Sequence, residues 1–246
     1  MKHVKNMIYR WGLCLLPVLS ACNPSSSPAS EPGQQTPDTS SPGFSSPQEA
    51  AAQGQKDLLA ILRMHSGDTY GITDTTLLAK AVPGNPVMHY VLDFQRLLQI
   101  DSANSLSDFP KEEANTIVPL VTDGQLVTIV ELSHQDQQWK VAALAGKALT
   151  DDLQVIYQIM PRYAGIGQGA QIQLIEVPNL QAKLFVVRAN PQGERLGPQE
   201  WVFARYAGFS LREPVPVSTL MSVLHRDAVQ FQREYGEQLK KQKLTE

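Results

Sequence analysis

The chain has 246 residues, with 24 acidic and 21 basic side chains and a formal net charge of −3. Because the basic residues form no long run, the composition argues against a nucleic-acid partner. Residues 50–246 are enough for one sizeable domain or two small ones, and no stretch after the first 22 residues is long and apolar enough to predict a membrane-spanning helix.

The first 21 residues have the pattern of an export signal, in which a basic start precedes a short apolar run over 11–19. Leu19-Ser20-Ala21-Cys22 follows. This motif resembles the lipobox of bacterial lipoproteins. The resemblance implies cleavage before Cys22, a diacylglycerol on its thiol and a fatty acyl chain such as palmitate on the new N-terminus. The alternative is an ordinary secretory signal with a chance cysteine.

The residue after Cys22 bears on the membrane to which the chain is anchored. In lipoproteins of the enterobacterial type, an aspartate at that position signals retention in the inner membrane. Asn23 stands here, so the resemblance implies the outer membrane if the host is Gram-negative. Since Cys14 leaves with the signal and Cys22 carries lipid, the mature chain is expected to have no free thiol and no disulfide.

Residues 23–48 are rich in Ser, Pro, Thr, Gln and Gly, and Phe44 is the one large apolar residue among them. Such a segment buries too little apolar surface to offset the entropy of ordering it. We therefore predict a lipidated cysteine and disordered tether over 22–48. Two α+β units, 49–149 and 150–246, follow it and could together form one domain.

The first unit begins with a predicted helix over 48–64, since Leu58, Leu59, Ile61 and Leu62 share one face at helical spacing. Alternating residues predict strands, and polar or Gly-Pro clusters predict turns between them. These patterns predict a turn-rich segment over 68–85, a strand over 87–94, an undecided segment over 95–100, a polar loop over 101–115, and strands over 116–122, 125–132 and 138–144.

Pro119 lies inside one of these predicted strands and lacks an amide donor. The strand over 116–122 is therefore expected at a sheet edge or with a bulge. Asp123-Gly124 predicts a tight turn, so that 116–145 reads as an antiparallel meander, with a second turn over 134–138.

The second unit begins with a predicted helix whose first turn contains Asp151 and Asp152, where acids suit the helix dipole. Pro161 ends it. Strands are predicted over 170–177, 182–189 and 200–207, and a long helix over 218–243 has apolar residues at spacings of three and four.

Two stretches of the chain match each other: WKVAALAGKAL over 139–149 and WVFARYAGFSL over 201–211, with like residues at six of eleven positions. The match predicts an α+β fold of two similar helix-plus-antiparallel-meander units followed by a long C-terminal helix. Trp139 and Trp201 are expected to be equivalent and largely buried. The element order is loosely similar to cystatin-like and PepSY-type modules, an analogy of fold that implies nothing about function.

Candidate chemical groups are scattered along the sequence. Four histidines remain after maturation, and none has metal-ligand spacing: His65, His89, His134 and His225. No Gly-x-Ser-x-Gly elbow is present, although a triad built from distant residues stays open. Residues 165–170 match G-x-G-x-x-G/A but follow a helix and open a strand, the reverse of a dinucleotide site.

The remaining candidates have ordinary structural interpretations. Glu112-Glu113 is interpreted as a solvated loop, and Asp151-Asp152 as a helix cap rather than a calcium site. Four aromatic residues could line a ligand groove, although anchors of the core are the favoured interpretation: Trp139, Trp201, Tyr206 and Phe209. The sequence thus predicts no catalytic, metal or cofactor site, and its one predicted site residue is Cys22.

The favoured functional hypothesis is a membrane-anchored, non-enzymatic envelope lipoprotein that serves as a binding or accessory module for another envelope protein. Its predicted partners are the membrane, through lipid on Cys22, and that envelope protein, with no nucleic acid and no cofactor. One alternative is a carrier of lipid or a small apolar ligand. A less favoured one is an enzyme acting on envelope polymers.

Overall fold

The computed structural model describes residues 43–64, 72, 74–100, 106, 109, 111–163, 170–188 and 200–243, without the side chains of 237–243. Its strands are β1 Val82–Pro83, β2 Val87–Leu92, β3 Lys111–Thr122, β4 Gln125–Gln135, β5 Gln138–Leu144, β6 Gln171–Val177, β7 Ala182–Arg188 and β8 Glu200–Arg205. Its helices are α1 Pro47–Met64, α2 Thr75–Lys80, α3 Phe94–Leu97, α4 Lys147–Ile159 and α5 Val217–Lys243, with 3-10 turns at Met160–Arg162 and Pro178–Leu180.

All of these strands join one sheet with the order β5-β4-β3-β2-β6-β7-β8, and β1 pairs with the far end of β3. Neighbouring strands are antiparallel except β2 and β6, which run parallel at the centre. The fold is α+β, as predicted, although the sheet is mixed. Residues 40–246 form one compact unit, so both halves of the chain contribute to the same sheet.

The two faces of the sheet are covered by different helices. Because side chains alternate between faces along a strand, Ile117 joins the apolar cluster of α4 while Val118 joins the cluster of α1 and α2. Likewise, Phe185 lies in the α4 cluster and Val186 in the α5 cluster. Hence α4 packs on one face, and α1, α2 and α5 pack on the other.

Pro119 occupies an interior strand, so of the two predicted alternatives the edge position is wrong and the bulge is the one that the structure favours. Its carbonyl oxygen accepts a hydrogen bond from the Gly84 amide at 2.8 Å. Since the N–H and C=O of one residue in an antiparallel ladder point the same way, the missing donor of Pro119 faces Gly84, in the gap between β1 and β2. A register shift between β3 and β4 lies one residue further on, at Leu120/Val121.

The last residues of the predicted tether belong to the fold, which corrects the predicted boundary at residue 48. Phe44 forms a bridge with Trp139 of β5, in which each amide donates to the other's carbonyl at 2.9 Å. The Ser46 hydroxyl then accepts from the Glu49 amide at 3.2 Å at the start of α1. Composition did not indicate these contacts, since they are made by one aromatic residue and one hydroxyl.

Two further predictions were wrong in the first half. The segment predicted as turn-rich contains α2, which Asp74 caps by accepting the Thr76 amide at 2.8 Å. The predicted polar loop over 101–115 contains the beginning of β3, where residues 111–115 pair with β2. Their side chains are mostly exposed, and apolar alternation is therefore missing from this part of the strand.

The tryptophan strands β5 and β8 form the two opposite edges of the sheet. Trp139 and Trp201 are partly buried rather than enclosed in the core. Each strand is followed by an alanine in the left-handed region, Ala145 at φ 54° and Ala207 at φ 49°. The matched Ala-Gly pairs thus mark the places where the chain leaves each edge.

Both edge strands are met by a short segment of the same chain. Phe44 bridges β5 as described, and the Val215 amide donates to the Val202 carbonyl of β8 at 2.7 Å. Pro214 and Pro216 flank Val215 and have no amide to offer a further strand. Such coverage is a known way to prevent edge-to-edge association of sheets.

Core burial gives a direct test of this architecture. Phe185 is fully buried, so Phe185→Ala should lower the free energy of unfolding by about 3–5 kcal/mol. Trp139→Ala should cost only about 1–2 kcal/mol, since its side chain is partly exposed. Urea unfolding of residues 43–246 followed by circular dichroism measures both, and equal losses would contradict the difference in burial between these two side chains.

Candidate functional site

Five titratable side chains form a row on the α4 face of the sheet, which we call the charged row: His89, Glu176, Lys183, Arg205 and Asp152. The first four come from β2, β6, β7 and β8, and the fifth from α4. Glu176 lies two residues after Leu174, a member of the α4 cluster, which places it on the same face.

The strand register brings these groups together. Glu176 and Lys183 are direct cross-strand partners, and so are Lys183 and Arg205. Lys183 Nζ lies 3.5 Å from Glu176 Oε1, and His89 Nε2 lies 3.4 Å from Glu176 Oε2. The Arg205 guanidinium pairs with Asp152 Oδ1. A slip of one residue would move each strand's contribution to the opposite face.

His89 is the least accessible member of the sheet part of the row, with a side chain that is 14% exposed. Neither ring nitrogen makes a hydrogen bond within the part of the chain that the structure describes. The Nε2 contact with Glu176 at 3.4 Å is therefore a close polar contact outside good hydrogen-bond geometry. A buried ring nitrogen without a hydrogen-bond partner lowers the free energy of unfolding by about 1–3 kcal/mol. His89 therefore differs from the other members of the row.

The two carboxyl groups of the row are shifted in opposite directions. The contact with His89, assisted by the charge of Lys183, holds the pKa of Glu176 below its ordinary value despite partial burial. Burial raises the pKa of Asp152, and the charges of Arg205 and Lys183 oppose that rise. The neighbours of Glu176 thus stabilise its anion, whereas burial disfavours the anion of Asp152 and its cationic neighbours offset only part of that effect.

Asp152 was wrongly predicted as a helix-capping residue. The helix begins at Lys147 with Gly146 as its N-cap, so Asp152 lies in the second turn with a side chain that is 3% exposed. A buried carboxylate requires a partner, and Arg205 supplies it. The sequence did hold a signal, since Asp152 shares the apolar helix face of Ile156 and Ile159 at spacings of four and three.

The other histidine candidates are not brought together by the fold. His134 lies in β4, not in a turn, and stacks on Trp139 with ring centroids 4.4 Å apart. His225 Nδ1 lies 2.9 Å from the Leu97 carbonyl oxygen. His65, residues 165–169 and the predicted lipidation site Cys22 lie outside the described residues.

The acidic and aromatic candidates are also separated. Glu112 and Glu113 are exposed in β3 rather than in a loop. Tyr206 donates a 2.7 Å hydrogen bond to Asp227, and burial together with this bond raises the pKa of Tyr206. The four aromatic candidates do not share one groove.

A small cleft adjoins the charged row and shares Arg205 with it. Its volume is about 310 Å³, and its lining residues are Val155, Arg205, Phe209, Ser210, Leu211 and Arg212. A second cleft of about 390 Å³ lies between β8 and residues 214–218 and includes Trp201. A third of about 230 Å³ lies between α2, α4 and the β3–β4 turn.

Within the described residues, no three His, Cys, Asp or Glu side chains are grouped closely enough to hold a metal ion. None of the helices described is both long and apolar enough to cross a membrane. Comparisons with protein-family models, curated proteins and solved structures find no match to this chain. The functional inference therefore depends on the residues described above.

The lowered pKa of Glu176 predicts a pH dependence of stability. A carboxyl whose folded pKa is depressed stabilises the fold above its unfolded pKa, and that contribution is lost as pH falls through the folded value. Glu176→Gln should therefore be less stable than wild type at pH 7, and the difference should shrink below the ordinary glutamate value of 4.5. Urea unfolding of both proteins across this range measures it.

Lys56→Gln, an exposed change on α1, is the matched control and should leave the pH profile of stability unchanged. A stability difference between Glu176→Gln and wild type that stays constant from neutral to acidic pH would contradict the ionic role of Glu176.

Proposed function

We propose that this chain is a lipid-anchored, non-enzymatic envelope protein whose folded part binds another envelope protein through the charged row. The observation that carries the proposal is the row itself, since it aligns charges of both signs across β6, β7 and β8 on one face. Lys183, Glu176 and Arg205 have side chains that are 31%, 25% and 59% exposed. They are fixed by cross-strand pairing and can still be reached from outside.

The arrangement of the edges supports binding through a face. A free edge strand commonly recruits a partner by strand addition. Here the chain's own residues Phe44 and Val215 take up backbone groups of β5 and β8. The face around the charged row offers side chains instead, and complementary charge patterns favour specific partners and fast association.

The alternation within the row also has a consequence for the partner. Glu176 lies between His89 and Lys183, and Asp152 pairs with the neighbouring Arg205. Because both signs are present, net charge alone does not define a complementary surface. The proposed partner presents charged groups in matching order.

The carrier alternative is supported less well. It expects an apolar space between helix and sheet, yet that region holds three clusters of buried, contacting apolar side chains. An enzyme acting on envelope polymers would require a nucleophile or paired acids beside His89. Glu176, its carboxylate neighbour, is already paired with Lys183, which favours a structural ion pair.

We further infer that the two halves of the chain arose by duplication of a helix-and-meander unit. Three features support this inference: the matched tryptophan stretches, their place in the last strand of a meander at each sheet edge, and the left-handed alanine after each. The first half has acquired additional elements in this view, namely α2, β1, β2 and α3.

The lipid anchor is proposed from the lipobox-like motif at Cys22. Two or more acyl chains give stable anchoring, whereas one chain is marginal. Phe44 bridges the sheet, so roughly 20 residues separate the proposed anchor from the sheet, and a flexible chain of that length spans about 25 Å. The proposed tether thus lets the folded part meet a partner away from the bilayer surface.

Replacement of the anchoring residue tests this part of the proposal. Cys22→Ser should abolish lipid attachment, so that the protein is released from membranes or remains as an uncleaved precursor. Membrane fractionation and intact-mass analysis measure both effects. An unmodified Cys22 in the wild-type protein would refute the anchor.

Photo-crosslinking in intact cells tests partner binding. A crosslinking amino acid at position 183 should capture a defined envelope protein, while one at the exposed position 56 of α1, on the opposite face, should not. The double variant Glu176→Lys with Lys183→Glu keeps a pair but reverses its direction. It should preserve the melting transition and reduce capture by crosslinkers placed elsewhere on this face.

Two results would argue against the charged row as the binding surface. Crosslinking would be equally strong at positions 56 and 183, or the double variant would capture the partner as well as wild type does.

A further inference from the structure

The cleft beside the charged row combines two arginines with an apolar wall. Val155 comes from α4, and Phe209 and Leu211 come from the chain after β8. Leu211 is buried, while Arg205 and Arg212 are exposed at the rim. Two guanidinium-bearing residues and three apolar residues thus border one space of about 310 Å³.

Arg205 has an anchored position at this rim. Asp152 is buried and pairs with it, which restricts the side chain to one region of the cleft. A guanidinium has five N–H donors, and one carboxylate cannot use them all. The contact with Asp152 therefore holds the Arg205 guanidinium in place, and the guanidinium keeps N–H donors for a second acceptor.

Arg212 is positioned by its backbone. Its amide donates to the Ser210 hydroxyl at 3.1 Å, and its carbonyl accepts from the Tyr163 hydroxyl at 3.2 Å. No acidic side chain pairs with its guanidinium among the described residues. The two acids of α4 near this end are occupied, since Asp151 pairs with Lys147 at 2.8 Å and Asp152 pairs with Arg205.

We propose that this cleft binds a carboxylate carried on a short apolar body. Arginine forks match carboxylates and phosphates alike. The wall formed by Val155, Phe209 and Leu211 favours a ligand with an apolar portion over a free inorganic ion. The volume is at the lower end of the range for small-molecule sites, which limits the buried portion to a few carbon atoms.

Two kinds of ligand carry such a carboxylate: a fatty acid, and a peptide whose C-terminal residue is apolar. Ligand-observed NMR titrations of the purified full chain in non-ionic detergent separate them. Hexanoate represents the first source and N-acetylleucine the second. Hexanol and N-acetylleucinamide are their neutral controls, and inorganic phosphate tests for simple anion binding.

At least one carboxylate should bind saturably and about tenfold more tightly than its neutral control, as expected for a charge-assisted hydrogen bond. The tighter of the two carboxylates identifies the source. Arg212→Gln should weaken binding about tenfold. Arg205→Lys, which keeps a cation beside Asp152, should weaken it while preserving the fold. Arg233→Gln, an exposed change on α5, should have no effect.

Three results would each overturn this proposal. Neither carboxylate binds, phosphate binds as tightly as the carboxylates do, or Arg212→Gln binds the carboxylate as tightly as wild type does. The inference does not depend on the protein partner proposed above, since it concerns a small ligand and purified protein. Failure of these titrations leaves the crosslinking result at position 183 unaffected, and the reverse also holds.

Discussion

The parallel pairing of β2 with β6 is the contact on which the rest of the fold depends. It joins two antiparallel halves into one sheet and aligns Tyr90 with Ile175 at its centre. Because β6 lies at the centre and β5 at an edge, the connection between them has to return across the sheet. Helix α4 makes that return, and its cluster extends from Ile129 of β4 to Phe203 of β8.

The course of α4 also determines where the charged row lies. The helix covers one end of the strands, and the row crosses the sheet beyond it, joined to the helix by Asp152 and Arg205. Taking charges partly out of water is costly; Glu176 and Lys183 match each other through the strand register, and Asp152 of α4 matches Arg205. The row therefore favours a single register of β6, β7 and β8 at the same time as it forms the proposed binding surface.

Much of the local structure could be predicted from the sequence, including α1, the β4–β5 hairpin and α5, since amphipathic spacing and turn residues act over short distances. The order of strands could not, because alternation specifies a strand without its neighbours. The charged row was missed for the same reason. Glu176 and Arg205 are brought close only because β7 lies between their strands and Lys183 is the register partner of both. Asp152 was misread because a capping rule was applied without the helix face on which it lies.

The bridge between Phe44 and Trp139 has a mechanical consequence. Any pull from the N-terminal side of the domain reaches two backbone hydrogen bonds at the edge of β5 first. Behind them lies α1, whose Leu58 is fully buried against the sheet. Tension is thus delivered to one edge of the sheet, while the charged row and the cleft beside it lie between the centre of the sheet and the other edge. The proposed binding face is thus mechanically separated from the N-terminal side of the domain.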